Sequence, residues 1–110
     1  MQFMGSLYVG EKLSSTEYKI VEKVHKGKIV PGLYLIVLSN HPDNMLDLIL
    51  EKAALQKCYQ TVQLKVVGIA GDKKEAIELV QRMIQESIQK TGSADVRGFL
   101  KGKWEEQACR

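Results

Sequence analysis

Residues 33–43 read Leu-Tyr-Leu-Ile-Val-Leu-Ser-Asn-His-Pro-Asp, an apolar run that stops at polar, helix-starting residues. This pattern is typical of a buried strand that leads into a helix. Residues 62–72, Val-Gln-Leu-Lys-Val-Val-Gly-Ile-Ala-Gly-Asp, repeat the pattern further along the chain. If both strands lie parallel in one sheet, their carboxyl ends meet at the same edge, which is where open α/β sheets bind ligands. We therefore expect any site to lie at that edge.

The remaining elements follow from periodicity and turn residues. Helices are predicted over residues 14–27, 42–58 and 72–91, the first and third opening on capping boxes, Ser14-x-x-Glu17 and Asp72-x-x-Glu75. Besides the strands at residues 33–38 and 62–70, a strand is predicted at residues 7–13. Residues 95–100 are either a short edge strand or a docking segment, and the tail that follows is polar apart from its tryptophan.

The order of these elements is β-α-β-α-β-α with an optional last strand. Strands that alternate with helices predict an α/β domain, here a small three-layer α/β/α arrangement with a mainly parallel sheet of about three or four strands. A two-layer α+β arrangement is the alternative. A chain of 110 residues has the size of one domain, residues 1–110, and we expect its tail to fray from about residue 101.

Composition narrows the class of protein. The formal net charge of +3 is a weak basic excess, so nucleic acid is not an expected partner. Cys58 and Cys109 are too few for a disulfide framework and indicate reduced thiols in the cytoplasm. The first residues do not resemble a signal peptide, and no apolar run approaches the roughly 18 residues of a membrane helix. We therefore expect a cytoplasmic protein with no membrane contact.

The sequence carries no recognisable catalytic or metal-binding motif. His25 and His41 are the only imidazoles, and neither has Cys, Asp or Glu at a known metal-ligand spacing. The G-x-S-x-G turn of Ser-His-Asp hydrolases is missing, and Cys58 reads as a small core residue. We predict no catalytic residue, no metal and no cofactor, and we leave open whether the chain is an enzyme.

Two loops nevertheless offer ligand-binding chemistry. Each follows a core strand and opens a helix, whose first N–H groups can bind an anion. The same residues also suit simpler roles, as helix caps, first-turn residues and solvated charges. A small-ligand or anion site, or a weak enzyme built on it, requires both loops to line one pocket. The candidate ligand-binding residues are Ser39, Asn40, His41, Asp43, Gly71, Asp72 and Lys73.

The predicted helix at residues 42–58 has an apolar face wider than the usual stripe, which indicates burial on more than one side. A sheet this small cannot cover so much apolar surface, so part of it is available to a partner. Met45, Ile49 and Ala53 are the candidate interface residues. The leading hypothesis is a non-enzymatic interaction module that binds a protein chain, including its own copy. The small-anion site is the alternative.

Five segments spread over most of the chain form one recognisable set: residues 33–40, Gly68-Ile-Ala-Gly, Glu75-Ala-Ile-Glu-Leu-Val, Thr91-Gly92 and Asp95-Val-Arg. Together they resemble small proteins of unknown function from clostridial Firmicutes. The resemblance implies a bacterial, cytoplasmic, stand-alone domain. It carries no activity, substrate or catalytic residue.

Overall fold

The computed structural model describes residues 2–13, 15–26, 28, 30–38, 46–50 and 64–106. Their strands form one mixed sheet in the order β1-β4-β2-β3. The strands are β1 (Gln2–Val9), β2 (Tyr34–Leu38), β3 (Leu46–Leu50) and β4 (Lys65–Ala70). β1 is parallel to β4, whereas β2 is antiparallel to both β3 and β4. The α/β class is confirmed, but a mainly parallel sheet is wrong for the described strands.

The described part of the chain contains three α-helices: α1 (Glu17–His25), α2 (Lys73–Thr91) and α3 (Val96–Glu106). α2 confirms the prediction at both ends, since Asp72 is its N-cap and Gly92 ends it in the left-handed conformation at φ 74°. α1 begins later than predicted, with Thr16 as an N-cap that makes no side-chain capping bond. Ser14 of the predicted capping box lies outside the described residues.

The first strand also differs from the prediction. β1 begins at Gln2 rather than Leu7, and the chain leaves the sheet at Gly10 for a 3-10 turn over Glu11–Leu13. The Gly10 N–H donates to the Ile69 carbonyl at 3.0 Å, which is the last bond between this segment and β4. The prediction of a strand over residues 7–13 therefore identified the element but gave the wrong bounds for it.

The predicted helix over residues 42–58 is wrong where the structure describes it, because residues 46–50 are strand β3. The segment Leu-Asp-Leu-Ile-Leu satisfies an alternating pattern as well as a helical one. Its pairing with β2, from Leu38 opposite Leu46 to Tyr34 opposite Leu50, decides between the two. Residues 42–45 and 51–58 lie outside the described part of the chain.

Of the two alternatives for residues 95–100, the edge strand is wrong, because α3 starts at Val96 and continues to Glu106. The docking segment agrees with the burial of Val96 and Leu100 against the core. Asp95 starts this helix, since its Oδ1 atom accepts from the Gly98 N–H at 3.2 Å and its carbonyl accepts from the Phe99 N–H at 3.2 Å. The tail expected to fray from residue 101 is thus helical as far as Glu106.

The buried side chains form two clusters on opposite faces of the sheet. In β2, Leu35 and Val37 belong to the cluster that contains the buried residues of α1. Ile36 and Leu38 alternate with them and belong to the cluster that contains α2 and α3 residues. The described helices therefore cover both faces, with α1 on one and α2 and α3 on the other.

Candidate functional site

The strand ends that precede the two candidate loops lie at opposite ends of the sheet. β2 runs antiparallel to β4, with Tyr34 opposite Ala70 and Val37 opposite Val66. Leu38, which precedes the first loop, therefore lies at the start of β4, whereas Gly71 follows its end. The shared edge inferred from the sequence is wrong, because it required parallel strands. Ser39, Asn40, His41 and Asp43 lie outside the described residues, so their ligand-binding role stays a prediction.

At the start of α2, two backbone N–H groups already donate to carboxylates of the same segment. Asp72 Oδ1 accepts from the Glu75 N–H at 2.8 Å, and Glu75 Oε1 accepts from the Gly71 N–H at 3.0 Å. This pair is a variant of the capping box, in which the return bond comes from the N–H of the residue before the N-cap, and it takes up backbone N–H groups that a bound anion would need. Lys73 is exposed on the first turn.

The negative charge at this helix start is held in place by Lys12. Its Nζ lies 2.6 Å from Asp72 Oδ2, although both side chains are largely exposed. The hydrogen bond from Lys12, followed by the one from the Glu75 N–H, lowers the pKa of Asp72 below its ordinary value. Asp72 is therefore ionised near neutral pH and opposes a second anion at the same place.

A small cavity of about 110 Å³ lies beside this capping box. The Glu75 carboxylate passes directly over Gly10, in space that a β-carbon at that position would need. Three carboxylates and one guanidinium line the cavity, which makes it acidic rather than anion-binding. The lining residues are Gly10, Glu11, Glu75, Glu78, Leu79 and Arg82. The geometry gives an anion site at the Gly71–Lys73 loop no support.

Strand β3 carries apolar side chains that remain accessible. Leu48 and Leu50 are 36% and 41% exposed. Of the predicted interface residues, Ile49 is half-buried and packs on the α1 side of the sheet, while Met45 and Ala53 lie outside the described residues. Leu48 and Leu50 were not predicted as interface residues. The alternation of leucines at positions 46, 48 and 50 is the signal that could have identified them.

Lys103 on α3 joins the helix to β1 and α2. Its Nζ lies 3.2 Å from the Tyr8 hydroxyl, 3.4 Å from Glu86 Oε1 and 4.8 Å from the centroid of the Tyr8 ring. Burial, followed by the hydrogen bond and negative charge of Glu86, raises the pKa of Tyr8 above its ordinary value. A phenol that stays protonated in an ion-paired cluster suits a structural contact better than a nucleophile.

A second cavity, of about 220 Å³, lies at the sheet end where β2 stops and β4 begins. Leu38, Lys65, Lys101 and Trp104 line it. Lys65 Nζ lies 5.9 Å from the centroid of the Trp104 ring. Sequence reasoning missed this cavity because it placed Trp104 in a polar tail, and because residues 65 and 104 are brought together only by the packing of α3.

No group of three or more His, Cys, Asp or Glu side chains suited to a metal ion occurs in the described part of the chain. Among the described helices, none has the length and apolar character needed to cross a membrane. Comparison with family models gave no match, and neither did comparisons with curated proteins and with solved structures. The resemblance to clostridial proteins therefore stays a prediction.

Proposed function

We propose that this chain is a small three-layer α/β/α interaction module of the bacterial cytoplasm, and that β3 binds a second copy of the chain. One observation carries the proposal: within the described residues, β3 pairs with β2 on one side and with no strand on the other. An open strand edge presents backbone N–H and C=O groups that can pair with another chain. The proposal assigns no catalytic role to any residue.

The composition of β3 supports pairing because its five residues lack two of the common protections of an edge strand. Edge strands commonly carry Lys or Pro, which discourage contact with other strands. The five residues of β3 contain neither, and Asp47 is their only charge. The accessible side chains of Leu48 and Leu50 lie next to this open edge and gain burial when a second strand is added.

A two-fold axis through Leu48 satisfies both the charge and the apolar pattern. Antiparallel pairing about this residue sets Leu46 opposite Leu50 of the second copy, so leucines from both chains share one face. On the other face, Asp47 lies opposite Ile49 of the second copy rather than opposite a second carboxylate. Like charges directly opposite each other would destabilise the pair, and this register avoids them.

The test compares the association of two lysine variants with that of the unmodified protein. We expect a dimer in sedimentation equilibrium at protein concentrations of about 1–100 μM. Leu48→Lys should be monomeric, because two ammonium groups would face each other at the axis. Tyr18→Lys should remain dimeric, because Tyr18 is 79% exposed on α1 and is not part of the proposed pairing edge.

Circular dichroism checks that both variants fold, which we expect because each replaced side chain is accessible to solvent. An unmodified protein that stays monomeric throughout the concentration range would contradict the proposal. Equal association of the two variants would do the same.

The alternative, a small-anion site, has no support at the α2 start. Anion binding is instead favoured at the cavity beside Trp104, which two lysines line.

A further inference from the structure

We propose that the cavity beside Trp104 binds a small anion that carries one flat ring, of the aryl carboxylate or aryl phosphate class. The inference rests on this cavity alone and does not depend on the association through β3. α3 contributes Lys101 and Trp104, β4 contributes Lys65, and the end of β2 contributes Leu38. Separate elements thus bring two cations, an indole and an apolar side chain to one concave place.

The charge of the cavity favours an anion. Lys65 and Lys101 are exposed, and neither forms an ion pair with a carboxylate among the side chains that the structure describes. This distinguishes them from Lys103 of α3, whose Nζ lies 3.4 Å from Glu86 Oε1. Two cations without an acidic partner among those side chains favour a positive potential in the cavity, and a bound anion can contact both.

The shape and surface of the cavity favour a flat ring. Trp104 is half-buried and its indole lines the cavity together with the buried Leu38, so a ring bound there has aromatic and apolar side chains to contact. An apolar cavity of about 150 Å³ is large enough for benzene. A volume of about 220 Å³ therefore admits one ring with a charged substituent, but it lies below the roughly 300 Å³ at which pockets for larger ligands begin.

The two lysines of the cavity determine how selectively it can recognise an anion. Lysine ammonium groups are point charges and lack the fixed fork with which arginine reads a carboxylate. We therefore expect selection for negative charge and for flatness, with little discrimination between a carboxylate and a phosphate. Because both lysines are exposed, binding should weaken as salt is added.

The fluorescence of the protein reports on the cavity directly, because Trp104 is its only tryptophan. Benzoate and phenyl phosphate should each produce a saturable change, with a Kd on the order of 1 mM for ligands of this size. Cyclohexanecarboxylate, which keeps the charge without the flat ring, should bind more weakly by about fivefold or more. Benzyl alcohol, which keeps the ring without the charge, should be weakened similarly.

Variants separate binding in the cavity from general charge effects. Lys65→Gln and Lys101→Gln should each weaken benzoate binding by about fivefold, since each removes one exposed ionic contact. Lys19→Gln, which removes an exposed lysine of α1, should leave it unchanged. Leu48→Lys, which alters the β3 edge, should also bind benzoate as the unmodified protein does, so the two proposals can fail separately.

Three results would overturn the inference. The first is the absence of any saturable change with benzoate and phenyl phosphate. The second is equal binding of benzoate by the unmodified protein and both cavity variants, or equal binding of benzoate and cyclohexanecarboxylate. The third is salt-sensitive binding of a single-stranded oligonucleotide that changes Trp104 fluorescence while benzoate does not, which would assign this surface to nucleic acid.

Discussion

Replacing Leu100 by alanine tests whether α3 is an integral part of the fold. Leu100 is fully buried and belongs to the core cluster that also contains Val96 of α3 and Met83 of α2. Removing its branched end leaves a space that the neighbouring side chains can fill only in part. The variant therefore probes the packing of α3 without replacing any residue of the sheet.

The expected loss is about 3 kcal/mol in the free energy of unfolding, within the range of about 2–5 kcal/mol for a buried leucine. Domains of this size are stable by about 5–15 kcal/mol, so the variant should remain folded with a much lower denaturation midpoint. Lys101→Ala, one residue further along the helix and exposed, should change the stability by less than about 0.5 kcal/mol.

Urea unfolding followed by two signals provides the measurement. Circular dichroism reports on all helices, whereas the fluorescence of Trp104 reports on α3. In the unmodified protein the two transitions should coincide, because α3 unfolds with the rest of the domain. A tryptophan transition that precedes the dichroism transition, or a loss below about 1 kcal/mol in Leu100→Ala, would refute the docking of α3.

Three further predictions concern the starts and interiors of helices. Gly10→Ala should lower the free energy of unfolding by about 1 kcal/mol, since the Glu75 carboxylate must leave its place over residue 10 and its capping bond. Gly102→Ala should raise it by about 0.5–1 kcal/mol in the same urea assay, because no described neighbour outside the helix backbone lies within 4 Å of the added methyl group in α3. The lowered pKa of Asp72 predicts stabilisation that is complete above its ordinary value of 3.8 and is lost as pH falls through the folded-state pKa. The melting temperature of the unmodified protein should therefore fall more steeply in acid than that of Asp72→Asn, and a parallel fall in both would contradict this.

The sequence predicted the elements whose local signals agree with their packing. α2 has a capping residue, a helical apolar period and a glycine at its end, while β2 and β4 are apolar runs bounded by turns. The helix predicted at β3 and the edge strand considered at α3 were wrong for a common reason, since both sequence patterns suit helix and strand alike. Val96, Phe99 and the two glycines of α3 favour a strand or loop locally, and burial against α2 decides for the helix.

The candidate site depended on information that one sequence does not contain. Asp72 was correctly predicted as an N-cap, because that role is local. The proposed pocket between the two loops required the direction of β2 relative to β4, which is set by tertiary pairing. The cavity at Trp104 likewise depends on how α3 crosses the sheet.

Cysteine cross-linking across β3 tests the central claim most directly. In chains with Cys58 and Cys109 replaced by serine, Leu46→Cys should cross-link to Leu50→Cys of a second chain, because the two-fold register about Leu48 sets their Cβ atoms about 5 Å apart. Chains with Leu50→Cys alone should cross-link far more slowly, since about four residues, or about 13 Å, would separate the two thiols. A mixture of the two variants that cross-links faster than either alone is the result we predict. Equal rates in all samples, or no cross-linking in any of them, would contradict association through β3.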